Sequence, residues 1–167
     1  SDDVIVNPII SALQEIPSFD RAIIVISGDI AFSGKKEEYG HANHFIGKII
    51  SRIKSTYFEQ DQKIDTIIVP GNHDIDFNGK NRDRSVISNA RNKGFTDKII
   101  EEDLDEMKNF FDFAKYNRSF SNNKKVDKII FDYDGYKLQF NLINSAPLSV
   151  INDSNGDNDQ ALHYISP

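Results

Sequence analysis

The sequence contains no cysteine, no tryptophan and no long apolar run. Without cysteine, disulfides and thiolate metal sites are excluded, so any bound metal must use oxygen and imidazole ligands. No apolar run approaches the roughly 20 residues of a membrane-spanning helix, so we expect no membrane-spanning segment. Residues 1–3 are Ser-Asp-Asp, which is acidic where a secretory signal would be basic. We therefore expect a cytoplasmic protein.

The composition is typical of one soluble globular domain. Of the 167 residues, 38% are hydrophobic and 28% are charged. The net charge of -6 disfavours a broad nucleic-acid-binding face, because such a face would be basic. A site that takes a single phosphate from a nucleotide or a nucleic acid end remains open.

Apolar periodicity predicts the main elements of secondary structure. A helical spacing is present over residues 4–16, about 36–57 and 100–114. Two short β-branched runs, at residues 22–26 and 66–69, end at turn formers and predict strands buried on both faces. The order strand, helix, strand predicts a parallel pair in a right-handed βαβ unit.

The second half of the chain predicts an antiparallel hairpin. Residues 128–133 and 136–143 flank Asp134-Gly135, a dipeptide that favours a two-residue hairpin turn. Residues 78–96 and 152–159 are polar and predict loops. The fold class that we predict is α/β, with a parallel βαβ core.

Two loops that follow the predicted buried strands carry the candidate chemistry. Residues 27–29 (Ser-Gly-Asp) leave the first strand, and residues 70–74 (Pro-Gly-Asn-His-Asp) leave the second. In open α/β sheets, ligands bind beyond the carboxyl ends of the strands. The side chains delivered there are two carboxylates, an amide and an imidazole, which suit Mn, Fe, Zn or Mg.

These two loops resemble signature blocks of the calcineurin-like metallophosphoesterases. Gly28-Asp29 is similar to the second block of that family, and Gly71-Asn72-His73-Asp74 is similar to the third. The longer string SGDIAFSG at residues 27–34 resembles a bacterial subgroup linked to large NTPase signalling proteins. The resemblance runs from the first strand to about residue 146, and it implies a β-sandwich flanked by helices.

The resemblance also implies a role for each residue of the two loops. Asp29 would bridge two divalent metal ions, and Asn72 would bind one of them through its side-chain oxygen. His73 would face the substrate, stabilise its charge and protonate the leaving group. Asp74 would orient the His73 imidazole. Two bridged metals, about 3.5–4 Å apart, are a recurrent device for phosphoester hydrolysis.

Other ligands of that family have no match in this sequence. The first family block, an Asp-x-His on an earlier strand, is missing, and so are the later histidine blocks. We therefore interpret residues 1–167 as part of one metallophosphoesterase domain. We expect the remaining ligands, and further domains, to come from a longer protein, and the fragment alone to be inactive.

A few further residues are weaker candidates. Arg82 and Arg84 belong to a basic cluster after the second loop and are candidates for contacts to a substrate phosphate, although a solvated loop is the favoured alternative. His41 and His44 lie three residues apart on a predicted helix, and His163 lies in a polar tail. We interpret these three histidines as structural or surface residues. A P-loop nucleotide site is excluded, because no Gly-x-x-x-x-Gly-Lys-Ser/Thr string is present.

The function predicted from these observations is metal-dependent phosphoester hydrolysis at a dinuclear site. The substrate class stays open between a nucleotide, a cyclic nucleotide, a nucleic acid end and a phosphoprotein. The alternative is a catalytically incomplete module of the same fold, which acts as a regulatory or interaction domain of a larger NTPase-linked protein.

Overall fold

The computed structural model describes residues 2–16, 19–57, 63–76, 97–120 and 125–147. The chain is mixed α/β in these ranges. In order, its elements are α1 (Asp3–Leu13), β1 (Arg21–Ser27), α2 (Lys36–Tyr57), β2 (Lys63–Val69), a 3-10 turn (Asn72–Asp74), α3 (Asp97–Asp105), α4 (Lys108–Ala114), β3 (Val126–Tyr133) and β4 (Tyr136–Ile143). The predicted loops at 78–96 and 152–159 lie outside the described residues.

β1 and β2 form a parallel pair joined through α2, as the sequence predicts. The register runs from Arg21 opposite Lys63 to Ser27 opposite Val69. Both strands therefore end at the same edge, and the loops that follow them begin side by side. On its other side, β2 makes a single parallel bridge to Arg118. The Arg118 N–H donates to the carbonyl of Thr66, and the Ile68 N–H donates to the carbonyl of Arg118.

The prediction that β1 is buried on both faces is wrong. Most of its side chains are half-buried, and Val25 is 52% exposed. Within the described ranges β1 has only β2 as a strand neighbour, so it is an edge strand of that sheet. β2 is covered on both sides, and Thr66, Ile67 and Ile68 are buried. The β-branched composition of a strand thus predicts its conformation but not how many neighbours cover it.

The predicted hairpin is confirmed. β3 and β4 pair antiparallel, with Tyr133 opposite Tyr136 next to the two-residue turn. Asp134 and Gly135 both have positive φ, at 45° and 81°. A type I′ turn requires positive φ at both central residues, and Asp-Gly is a dipeptide that tolerates it.

A charged cluster joins this hairpin to the parallel sheet. The Asp65 carboxylate on β2 accepts from the guanidinium groups of Arg21, at 2.5 Å, and Arg118, at 2.7 Å. Both guanidinium carbons lie 4.8 Å from the centre of the Phe131 ring on β3. Partial burial acts against ionisation of Asp65, but the hydrogen bonds and charges of the two arginines hold its pKa below the usual value. The cluster therefore stabilises the sheet contact at the starts of the parallel strands, away from the two candidate loops.

The amphipathic helix predicted over 100–114 is broken into α3 and α4. The Met107 N–H donates to the carbonyl of Leu104, which is a tighter turn than an α-helix has. The carbonyl of Glu106 instead accepts from the N–H of Asp76, 3.2 Å away in the loop after β2. A tertiary hydrogen bond thus competes with the helical hydrogen bonds at this point. It also connects the break between α3 and α4 to the loop after β2.

The main core lies between the parallel sheet, α2, the pair α3 and α4, and the hairpin. Its members are buried hydrophobic residues from each of these elements, with Ile67, Ile68, Met107 and Phe110 among the most deeply buried. A smaller cluster joins α1 to α2 through Val6, Ile10, Ile49 and Ile53. No helix in the described part of the chain has the length and apolar character needed to cross a bilayer.

Candidate functional site

The two glycine-led loops lie in contact at the ends of β1 and β2. Gly28 has a φ of +107°, a conformation that side-chain-bearing residues rarely adopt. A Cβ at Gly28 would lie 3.0 Å from the Cα of Gly71. A Cβ at Gly71 would overlap the Asp29 carboxylate. Both glycines are thus required for the close approach of the two backbones, and that approach brings the predicted site residues together.

Asp29 is presented outward from the first loop. Its φ of 52° lies in the left-handed region, which Asp tolerates better than most residues. The carboxylate is exposed, and its Oδ1 accepts from the backbone N–H of His73 at 3.2 Å. One oxygen of Asp29 is therefore oriented by the second loop, at the predicted metal-binding position.

Asn72 and His73 form the start of the 3-10 turn after β2. Asn72 is 5% exposed, which is unusual for an amide side chain in a loop. His73 is half-buried, and its Nδ1 lies 2.8 Å from the carbonyl oxygen of Phe32 in the first loop. The His73 ring also stacks against the Phe32 ring, with centroids 5.7 Å apart and planes 27° apart.

Asp74 is fully buried and accepts four hydrogen bonds. Its carboxylate accepts from the backbone N–H groups of Ala31 and Gly71, both at 2.9 Å, and of Ile30 at 3.2 Å. The Tyr39 hydroxyl donates to it at 3.0 Å. Burial raises the pKa of the Asp74 carboxyl, and these hydrogen bonds oppose that rise. All four partners are donors, which is the arrangement that a carboxylate requires.

Asp74 and the His73 imidazole have hydrogen-bond partners other than each other, which differs from what the resemblance implies. The Asp74 carboxylate contacts backbone N–H groups of both loops and the Tyr39 hydroxyl. The imidazole is oriented instead by the Phe32 carbonyl. The physical reason is local, since a buried carboxylate in a loop is stabilised best by the N–H groups that would otherwise lack acceptors.

Replacing Asp74 with asparagine should reduce the free energy of unfolding by about 2 kcal/mol, because at least one backbone N–H would face the NH₂ group, whichever oxygen that group replaces. Chemical denaturation of the variant measures this change. Asp112→Asn is the matched control, because Asp112 is an exposed carboxylate on α4 and its loss should have little effect. Equal stability of wild type and Asp74→Asn would contradict the role given to this carboxylate.

Tyr39 and Glu38 also hold the two loops in place, although the sequence alone assigns neither of them a role. Tyr39 is 4% exposed at the start of α2, where its hydroxyl contacts Asp74. Glu38 accepts from the Ser33 and Lys35 N–H groups, both at 3.0 Å, and so fixes the entry to the helix. Partial burial acts against ionisation of Glu38, yet these hydrogen bonds keep its pKa below the usual value. An inward-facing tyrosine in an amphipathic helix signals a buried hydroxyl that needs a partner.

The described residues supply oxygen donors of the right type for a divalent metal, but few of them. Asp29 offers a carboxylate and Asn72 an amide oxygen, which suit Mg or Mn. Within the described ranges no three His, Asp or Glu side chains are grouped so that they could share a metal ion. Asp29 and Asn72 therefore fit part of a metal site, and other residues would have to complete it.

The remaining candidates do not join this site in the described structure. Arg82 and Arg84 fall within residues 77–96, and His163 within 148–167, all outside the described residues. His41 and His44 are exposed on α2. The Nε2 of His44 lies 3.9 Å from an Asp2 carboxylate oxygen, as in a surface ion pair. This exposure agrees with the interpretation of His41 and His44 as surface residues.

Comparison of the chain with protein-family models, with curated proteins and with solved structures finds no match.

Proposed function

We propose that this chain is part of a metal-dependent phosphoester hydrolase, with a β-sandwich of the metallophosphoesterase type. The observation that carries the proposal is the contact between the Asp29 loop and the loop of Asn72 and His73, at the ends of two parallel strands. The resemblance of the two loops to the metallophosphoesterase blocks supports it. So do the glycines, since both are required where the loops approach each other.

In this proposal Asp29 and Asn72 would hold the metal ions through side-chain oxygens. Two divalent ions, when bound, provide a hydroxide nucleophile at neutral pH and neutralise charge on the phosphoryl oxygens. The exposed carboxylate of Asp29 would suit a metal ligand, because the hydrogen bond from the His73 N–H orients one of its oxygens. Residues outside the described ranges must provide the other ligands.

His73 moves the proton in this reaction. Its Nδ1 faces the Phe32 carbonyl, which only accepts hydrogen bonds, so Nδ1 carries a proton in the neutral ring. The second ring nitrogen, Nε2, is then the atom that exchanges a proton with the substrate. When protonated, Nε2 donates to the leaving oxygen, and the Phe32 carbonyl stabilises the imidazolium from the opposite side.

Metal dependence tests this proposal. The full-length protein should hydrolyse a generic aryl phosphomonoester or phosphodiester with added Mn²⁺, and a chelator should remove the activity. Metal analysis of the same samples should show two ions per active chain. Hydrolysis that persists at the same rate in chelator, with metal content near zero, would rule the proposal out.

The scarcity of ligands in the described part of the chain favours one alternative. In it, the chain keeps the fold and part of the site but acts as a regulatory or interaction module. Metal titration of residues 1–167 and of the full-length protein, side by side, separates the two. Fewer than one ion per chain at saturating Mn²⁺, together with a full-length protein that is also inactive, favours the module. Two ions in the full-length protein favour the hydrolase.

A further inference from the structure

Phe32 is an exposed aromatic residue beside His73 in the candidate site. It lies in the loop that follows β1, three residues after Asp29, and its side chain is 80% exposed. The preceding residue, Ala31, is 4% exposed and packs into the core. Burying a phenylalanine side chain stabilises a protein by roughly 1.5–3 kcal/mol, and this loop forgoes that gain.

The position of the Phe32 ring is fixed relative to His73 in two ways. Its backbone carbonyl contacts the His73 Nδ1 at 2.8 Å, and its ring stacks on the imidazole. The ring therefore forms a flat apolar surface beside the imidazole that is proposed to face the substrate. Its centre is 5.7 Å from that of the imidazole, so a base stacked on Phe32 would lie close to a phosphate held at His73.

We propose that Phe32 is a stacking platform for the nucleobase of a nucleotide substrate whose phosphate lies at Asp29 and His73. This inference rests on the proposed function and narrows its substrate class. Aromatic rings stack on bases of any sequence, because every base has a π-face. A sugar phosphate or a phosphoserine peptide has no such face, and the Phe32 ring has no hydrogen-bonding group to recognise them.

The absence of tryptophan from the sequence allows a direct binding test. Residue 32 is then the only tryptophan within residues 1–167 of a Phe32→Trp variant, and subtracting the wild-type emission isolates its signal in the full-length protein. With Mg²⁺ present, adenosine 5′-monophosphate should quench the emission and bind at least about fivefold more tightly than ribose 5-phosphate, which has the same phosphate without a base. Absence of quenching by the nucleotide, or equal quenching by ribose 5-phosphate, would overturn the inference.

Tyr136→Trp is the matched control. Tyr136 is 78% exposed in the hairpin, and it lines a cleft with Phe19 and Arg21 at the opposite end of β1. Its emission should not respond to the nucleotide at concentrations that saturate the Phe32→Trp variant. An equal response at both positions would mean non-specific stacking, and it would overturn the assignment of the platform to Phe32.

Activity distinguishes failure of this inference from failure of the proposed function. Phe32→Leu should lower kcat/KM for the nucleotide at least about fivefold more than that for ribose 5-phosphate, mainly through KM. If kcat/KM falls equally for both substrates, the hydrolase proposal is retained and the stacking role of Phe32 is wrong. If wild type hydrolyses neither of these substrates nor an aryl phosphodiester, while the nucleotide still quenches Phe32→Trp, then Phe32 is a binding site and the proposed hydrolase function is wrong.

Discussion

Replacing Asp29 with alanine should abolish phosphoester hydrolysis in the full-length protein. Its carboxylate is the only charged, outward-facing ligand candidate that the two loops contribute in the described structure, and the proposed function requires it as a metal ligand. Losing it should lower the bound metal below two ions per chain. Steady-state assays with saturating Mn²⁺, together with metal analysis, measure both effects.

The backbone conformation of Asp29 makes a second variant necessary for this test. Its φ of 52° costs alanine more than aspartate, so Asp29→Ala changes the loop as well as the ligand. Asn tolerates this conformation and keeps an oxygen for the His73 N–H, so Asp29→Asn isolates the loss of negative charge. We expect Asp29→Asn to fold normally and to be inactive. Wild-type turnover in either variant would refute the assignment of Asp29.

Replacing His73 with asparagine should lower kcat by roughly 10²–10⁴-fold, the range for loss of a general acid. The bound metal should stay near the wild-type amount, because His73 is proposed to face the substrate and not the metals. The backbone N–H that orients Asp29 is retained in this variant. Steady-state kinetics and metal analysis of the same preparation measure the two quantities.

His41→Asn provides the matched control, since His41 is exposed on α2 and its replacement should leave kcat unchanged. If His73→Asn loses its metals in proportion to its activity, His73 is a ligand and not the proton donor. If activity and metal content both stay at the wild-type level, neither role is correct.

Much of the secondary structure is predictable from local sequence. The bounds of α2 agree with those predicted, and the hairpin turn follows from Asp134-Gly135. Both patterns depend on residues a few positions apart. The break between α3 and α4 was not predictable in this way, because it depends on a hydrogen bond from Asp76 to Glu106, 30 positions away. The apolar periodicity of residues 100–114 continues across that break.

The candidate site was predictable in position but not in its internal contacts. Two parallel strands that end in glycine-led loops must present Asp29 and His73 near one another. The sequence does not indicate which group orients the imidazole, because a backbone carbonyl such as that of Phe32 has no sequence signature. The sequence likewise does not identify the hydrogen-bond partners of Asp74, since Tyr39 and Ala31 lie 35 and 43 positions away from it.

The buried carboxylate of Asp74 has a consequence for how the two loops move. The amides of Ile30 and Ala31 belong to the first loop and that of Gly71 to the second, but all three donate to this one carboxylate. None of the three can exchange its hydrogen with solvent while the carboxylate stays in place, so their exchange should follow one common opening event. The two loops then behave as one cooperative unit, and Asp29 and His73 lose or regain their relative positions together.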